Sequence, residues 1–261
     1  MISKLNTTDI KFLYEVHSET RKLIQRSSRK GELKEKFKVR EMSSISTLKV
    51  AWEHYPWGKL VRQHGPRMDE RFFCNRVAET NKLELLKWAG EKKKCTWVHD
   101  AIKAAARQGN LEMVKYCVAN ECPISEDACA RAADRGHLEC LKYLREEAKV
   151  PWNYRTAARA AENGHLHILE YLVERKYKKY NGDACKFAAK YGHFDCLKYL
   201  HETAKAPWYE DAVRRAHRNK HTECLQYLLD KNCPLPYGWR YEYGELITDY
   251  SSSSSSSSSS S

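Results

Sequence analysis

Apolar positions along the middle of the chain recur at helical spacing, and the helical stretches themselves recur. In GHLECLKYL, residues 136 to 144, Leu138, Leu141 and Leu144 fall three apart, on one face of a helix. The pattern returns as GHFDCLKYL at 192–200 and as HTECLQYL at 221–228. Aligned on Gly136, the equivalent positions are Asn81, Gly109, Gly164, Gly192 and Lys220, at steps of 28, 27, 28, 28 and 28 residues. A fixed period of this size is the mark of stacked repeats, and it has to be recognised before any site is argued.

Each unit resolves into the same parts. An Ala-rich segment (AIKAAARQ, ACARAADR, TAARAAEN, ACKFAAKY) precedes the glycine and predicts a first helix packed closely against its neighbours. The glycine predicts a left-handed helix stop; Asn81 tolerates that conformation, whereas Lys220 bears a cost of about 1–2 kcal/mol. A second helix follows, with Glu84, Glu112, Glu139, Asp195 and Glu223 in its first turn, at the positive end of the helix dipole. The column Trp88, Tyr116, Tyr143, Tyr171, Tyr199, Tyr227 reads as core. Proline is then expected to end the second helix, and the bulky residue after it to plug the gap beneath the next unit, as in Pro151-Trp152 and Pro207-Trp208. Two helices per unit without a strand pattern predict an all-α solenoid of about six units over residues 67–240.

The period decides the chemistry of the cysteines. A histidine and a cysteine three apart, as in His137 and Cys140, could be metal ligands or a nucleophile pair. Yet Cys140, Cys196 and Cys224 share a column with Leu85, Met113 and Ile168, and Cys117 stands where Leu144, Leu172, Leu200 and Leu228 stand. All ten cysteines occupy places that apolar residues fill in other units, so they read as small, reduced, buried hydrophobes. One such pair per unit supplies two ligands, not the four of a closed zinc site. No metal, cofactor or catalytic set is expected: paired carboxylates, a Gly-rich phosphate loop and a Ser-His-Asp set are all missing outside the repeat pattern.

The units AARQGNLEMVKYCV, AADRGHLECLKYLR, AAENGHLHILEYLV and AAKYGHFDCLKYLH closely resemble the second part of an ankyrin repeat, over roughly residues 69–235. The short unit is similar to the divergent type found in algae, other protists and large DNA viruses. The Thr-Pro-Leu-His opening of ordinary ankyrin repeats is missing, and the unit is about five residues shorter than 33, which puts the projecting β-hairpin finger in doubt. The resemblance implies a non-enzymatic protein-interaction scaffold whose variable residues before the Gly-His step line a concave groove. Carried onto this chain these are Arg107, Gln108, Asp134, Arg135, Glu162, Asn163, Lys190, Tyr191, Arg218 and Asn219. Arg135, Lys190 and Arg218 share a sign that suggests protein partners with acidic patches.

Charge and the ends of the chain add further readings. Of the net charge of +12, residues 1–66 carry +7, with the cations clustered in RKLIQRSSRKGELKEKFKVR at 21–40. This basic helical region reads first as a solvated helical face. Nuclear targeting or weak nucleic-acid binding are its functional alternatives. The stretch 45–57 echoes 85–97, as a degraded capping unit would. DIKFLYEVHSETRKLI at 9–24 weakly resembles the last helix of an F-box, which would make the protein a substrate adaptor of a ubiquitin ligase. Residues 241–261, ending in eleven serines, read as a disordered tail. No run is long and apolar enough for a membrane span and no signal peptide is evident, so an intracellular monomer, cytoplasmic or nuclear, is expected.

Overall fold

The computed structural model describes residues 39–53, 69–95, 97 and 99–248. Among these residues there are thirteen α-helices and one two-stranded sheet. The helices form an array of hairpins, as the period predicts, of the ankyrin type that the resemblance implies. By packing, the chain divides into two compact units, Met1–Ala128 and Cys129–Ser261. That division follows the packing and not the changes of charge and complexity at 66 and 240.

In the first unit a short 3-10 turn at Val39–Glu41 leads to α1 (Ile45–Glu53), α2 (Glu70–Ala78), α3 (Leu83–Lys87), α4 (His99–Gln108) and α5 (Leu111–Ala119). The end of α3 runs on as a π-helical turn, Trp88–Lys92. Met42, Leu48, Phe73, Leu85, Leu86, Ile102 and Met113 are the largest of its fully buried side chains. Trp52 of α1 packs edge-on against Phe73 and Trp88, at 5.1 and 6.3 Å between ring centroids. The F-box-like stretch 9–24, residues 54–57 of the capping segment and the serine tract lie outside the described residues.

Helix α6 (Asp127–Asp134) contains the division between the units. Beyond it the second unit alternates first and second helices: α7 (Leu138–Glu146), α8 (Tyr154–Glu162), α9 (Leu166–Glu174), α10 (Gly182–Tyr191), α11 (Phe194–Glu202), α12 (Glu210–Arg218) and α13 (Thr222–Asp230). The first helices α8, α10 and α12 pack in a row, and α9, α11 and α13 pack in a second row. Paired alanines (Ala160 and Ala161, Ala188 and Ala189) are buried where the first helices meet, which explains the Ala-rich composition.

The stops at both helix ends are regular. Gly109, Gly136, Gly164 and Gly192 are left-handed, and so are Asn81 and Lys220 at the ends of the series. At each Gly-His step the histidine N–H reaches back five residues, His165 to the Ala160 carbonyl and His193 to Ala188. The second helices end differently from the expectation. Proline does not stop them; a left-handed residue two places earlier does, at Glu121, Lys149, Lys205 and Asn232. Cys122 N–H then closes onto the Cys117 carbonyl, and Cys233 N–H onto Leu228, the bond of a Schellman stop. Proline comes after the turn is made. The bulky residue behind it does pack on the next unit: Trp97 on Tyr116, Trp152 on Tyr171 and Trp208 on Tyr227, all edge-on at 6.2–6.4 Å.

One expected piece of disorder is ordered. The tail boundary drawn at 241 runs through a hairpin, β1 (Arg240–Glu242) against β2 (Glu245–Ile247), turned at left-handed Tyr243 and Gly244. Tyr241 hydroxyl there accepts from Gln226 Nε2 at 3.0 Å, which ties the hairpin to α13.

All ten cysteines are buried, as the columns require. Burial pushes the thiol of Cys140 up to about 11 and that of Cys196 up to about 12, which leaves almost no thiolate at neutral pH. The expectation of ten reduced thiols is corrected at one place. Cys74 of α2 and Cys95 after the π turn are joined as a disulfide, with Cα atoms 6.5 Å apart. Their columns adjoin in space although they belong to different elements, and only here do both hold cysteine. Thiol titration of the native protein should therefore give almost no fast reaction, eight thiols in denaturant and ten after reduction. Several rapidly reacting native thiols, or a stability that drops with a chelator, would contradict this reading of the cysteines.

Candidate protein-binding face

The ten residues carried over from the groove lie at the C-terminal ends of the first helices or directly after them. Two positions before each glycine stands one column, and one position before it a second. The structure gives these residues unequal roles.

In the first unit Arg107 is exposed. Gln108 is turned inward instead, and its Nε2 donates to the Glu79 carbonyl at 3.0 Å. In the second unit Asp134 is only 9% exposed. It pairs with Arg135 at 3.6 Å and Arg159 at 4.0 Å, and accepts from Asn163 Nδ2 at 3.4 Å. Glu162 is half-buried and bound by Arg159 at 2.6 Å. Asn163 and Asn219 are exposed, and their Nδ2 atoms donate to the Arg159 and Arg215 carbonyls, at 3.1 and 2.8 Å, capping α8 and α12. Lys190 Nζ donates to the Tyr191 hydroxyl at 2.8 Å and lies 4.4 Å from that ring. Arg135, Tyr191 and Arg218 are exposed. Of the carried-over residues in the second unit, Arg135, Asn163, Lys190, Tyr191, Arg218 and Asn219 thus retain accessible side chains, while Asp134 and Glu162 serve mainly to tie the helices.

Behind this face the Gly-His step acts as a fastener. A Cβ on Gly136 would lie 2.8 Å from His165 Nδ1, and one on Gly164 would lie 2.7 Å from His193 Nδ1. Each imidazole therefore rests on the bare Cα of the unit before it. His193 Nε2 donates to the Glu162 carbonyl at 3.1 Å, and His165 makes the matching bond to the Asp134 backbone. His165 and His193 thus satisfy first-helix carbonyls of the unit before them. No group of three or more His, Cys, Asp or Glu fit to hold a metal occurs among the described residues.

One histidine of this column, His165, makes stability depend on pH. Burial holds His165 below the usual histidine value, against the Asp134 backbone bond, with His167 and His137 nearby. Burial also lowers His201, which stacks on Trp208 at 3.7 Å. A depressed folded value means that the unfolded chain binds the proton first. The contribution is complete above about pH 6.5 and is lost as pH falls through the folded values. Glu146 and Asp183 are lowered too, chiefly by the Tyr171 hydroxyl and by Lys186. Their contribution disappears only below about pH 4.5. Melting curves should show a first decline below pH about 6.5 and a second, acid one. His165→Gln should flatten the first; a melting temperature that rises from pH 7 to 5.5 would contradict it.

Sequence reasoning missed the exposed tyrosines. Tyr154 opens α8 and Tyr209 caps α12, and both stand out among the exposed large side chains. Tyr209 lies over Gly182, where a Cβ would meet its Cδ2 at 2.3 Å. The glycine at the start of α10 is the signal that could have shown this. A shallow cavity of about 250 Å³ opens beside Tyr209, lined also by Asn181, Asp183, Lys186 and Asp211.

One comparison, with protein-family models, agrees with this architecture. The family model described as ankyrin repeats (3 copies) matches residues 131–211 and again 157–236. No curated protein matches the chain. Among solved structures, the human ASB11 ankyrin repeat domain is 18% identical with a TM-score of 0.47, covering 60% of this chain and 82% of that one. The pentatricopeptide repeat protein PPR10, solved in complex with an 18-nt psaJ RNA element, is 13% identical with a TM-score of 0.33. That match covers 88% of this chain and 35% of PPR10. Likenesses this distant carry nothing about activity. The match to ankyrin repeats thus spans residues 131–236 of this chain.

Proposed function

We propose that the protein is a non-enzymatic interaction scaffold that holds partner proteins along the C-terminal ends of the first helices of its second unit. The observation that carries this is a contrast between columns. The buried columns keep an apolar character from unit to unit, whereas the exposed positions before the glycine read Arg135, Asn163, Tyr191 and Asn219. Packing demands the first kind of uniformity, and a rigid frame with a variable accessible edge is suited to recognition. The short unit fits the divergent ankyrin type of protists, algae and large DNA viruses.

Capture of partners from cell extract followed by mass spectrometry tests the reading. Arg135→Ala with Tyr191→Ala should lose the proteins that the wild type retains, and should change stability by no more than about 0.5 kcal/mol each. Lys142→Glu with Lys198→Glu, on the second helices, is the control and should keep them. Lys142 pairs with its neighbour Glu139 at 3.0 Å. If the control loses the partners and the face variant keeps them, the binding surface is on the second helices.

A further inference from the structure

The charge of the exposed edge changes sign along the second unit. In α8 the column two before the glycine holds Glu162, neutralised by Arg159 three residues earlier at 2.6 Å. In the segment before it, Asp134 is held by Arg135 and Arg159. The next two members of that column are Lys190 and Arg218, and the residue three before Arg218 is Arg215. Like charges three apart on a helix repel, and the C-terminal dipole of α12 offsets only part of that. Among the described residues no carboxylate lies within ion-pair distance of Lys190, Arg215 or Arg218. The acids at the far ends of the same helices are engaged elsewhere: Asp183 by Lys186, and Glu210 and Asp211 by Arg214. Exposed Lys220 and His217 adjoin Arg218 and add no negative charge, and His217 meets the Trp239 ring at 5.0 Å. Tyr191, 43% exposed, gives the strip its one large apolar surface.

We propose that Lys190, Arg215 and Arg218, with Tyr191 beside them, form a docking strip for a short acidic segment of a partner protein. This rests on the scaffold reading above and names the chemistry of its partner. The strip is two helices wide. Helices pack about 10 Å apart, and an extended chain advances about 3.3 Å per residue, so three or four consecutive acidic residues match it. Glu162 and Asp134 bound it on one side, and Asp183 and Asp211 lie at the other ends of the helices. A nucleic acid gains its affinity from many phosphates along a longer track than two helix ends offer.

The test uses the full chain and a fluorescent peptide of neutral residues around four consecutive glutamates, with four glutamines as the control peptide. Anisotropy should show binding of the glutamate peptide, no binding of the glutamine one, and weakening as salt rises from about 50 to about 500 mM. Arg215→Glu with Arg218→Glu should weaken binding about tenfold or more, and Lys142→Glu with Lys198→Glu should leave it within about twofold. The reversed strip should in turn gain affinity for a peptide of four lysines, a result that a merely unfolded variant cannot give. Equal binding by the reversed strip overturns the proposal, because the peptide then sits elsewhere. So does tighter binding of a single-stranded oligonucleotide that is lost on the same reversal. If the glutamate peptide fails while Arg135→Ala with Tyr191→Ala still abolishes partner capture, the acidic partner is refuted and the scaffold reading stands.

Discussion

Tyr171→Ala is expected to lower stability by about 3–5 kcal/mol, the cost of truncating a buried aromatic side chain. Tyr171 is 3% exposed and meets the Trp152 ring edge-on at 6.4 Å. Its hydroxyl donates to Glu146 Oε1 at 3.0 Å, and Arg175 Nε donates to the same oxygen at 2.9 Å. The substitution thus opens a cavity between consecutive hairpins and leaves the Glu146 carboxylate to Arg175. Because each hairpin leans on the next, the loss should spread along the second unit. Tyr171→Phe removes only the hydroxyl and should cost about 1 kcal/mol. The pair of variants is read by denaturant unfolding; a Tyr171→Ala protein as stable as the wild type would mean that the ring does not join the hairpins.

Gly164→Ala is the second large effect, expected at roughly 2–4 kcal/mol. Gly164 has φ +72°, where a Cβ is strained, and that Cβ would lie 2.7 Å from His193 Nδ1. The ring would have to move, breaking its bond to the Glu162 carbonyl. Backbone strain and ring displacement can be separated. Lys220 shows that a side chain survives at φ +59° in this column where no further Gly-His step follows. In a His193→Ala background Gly164→Ala should therefore cost less than in the wild type. Additivity within about 0.5 kcal/mol would show that the two residues do not communicate.

What could be read from the sequence was whatever repeats as residue identity within one column. The 28-residue step, the left-handed glycines and the apolar character of the cysteine positions are all of that kind, and they bring the hairpin fold with them. Contacts between columns were not legible, because they depend on how one hairpin sits on another. Tyr171 bonds Glu146 and Tyr227 bonds Glu202, each 25 residues back, a relation that no helical spacing announces. The same blindness hid the Cys74–Cys95 pair and the inward turn of Gln108. The left-handed stops at Lys149, Lys176 and Lys205 were not legible because lysine has no preference for that conformation. Among the candidate face residues, position predicted exposure well for Arg135, Tyr191 and Arg218, but the acids Asp134 and Glu162 were claimed by neighbouring arginines.

The central claim is that the first-helix ends of the second unit hold the partner. Hydrogen exchange of the full chain, with and without a captured partner, measures this directly. The account predicts new protection in residues 155–163, 183–191 and 211–219 and little change in the second helices. Protection confined to 166–174, 194–202 and 222–230, with the first-helix ends unchanged, would contradict it.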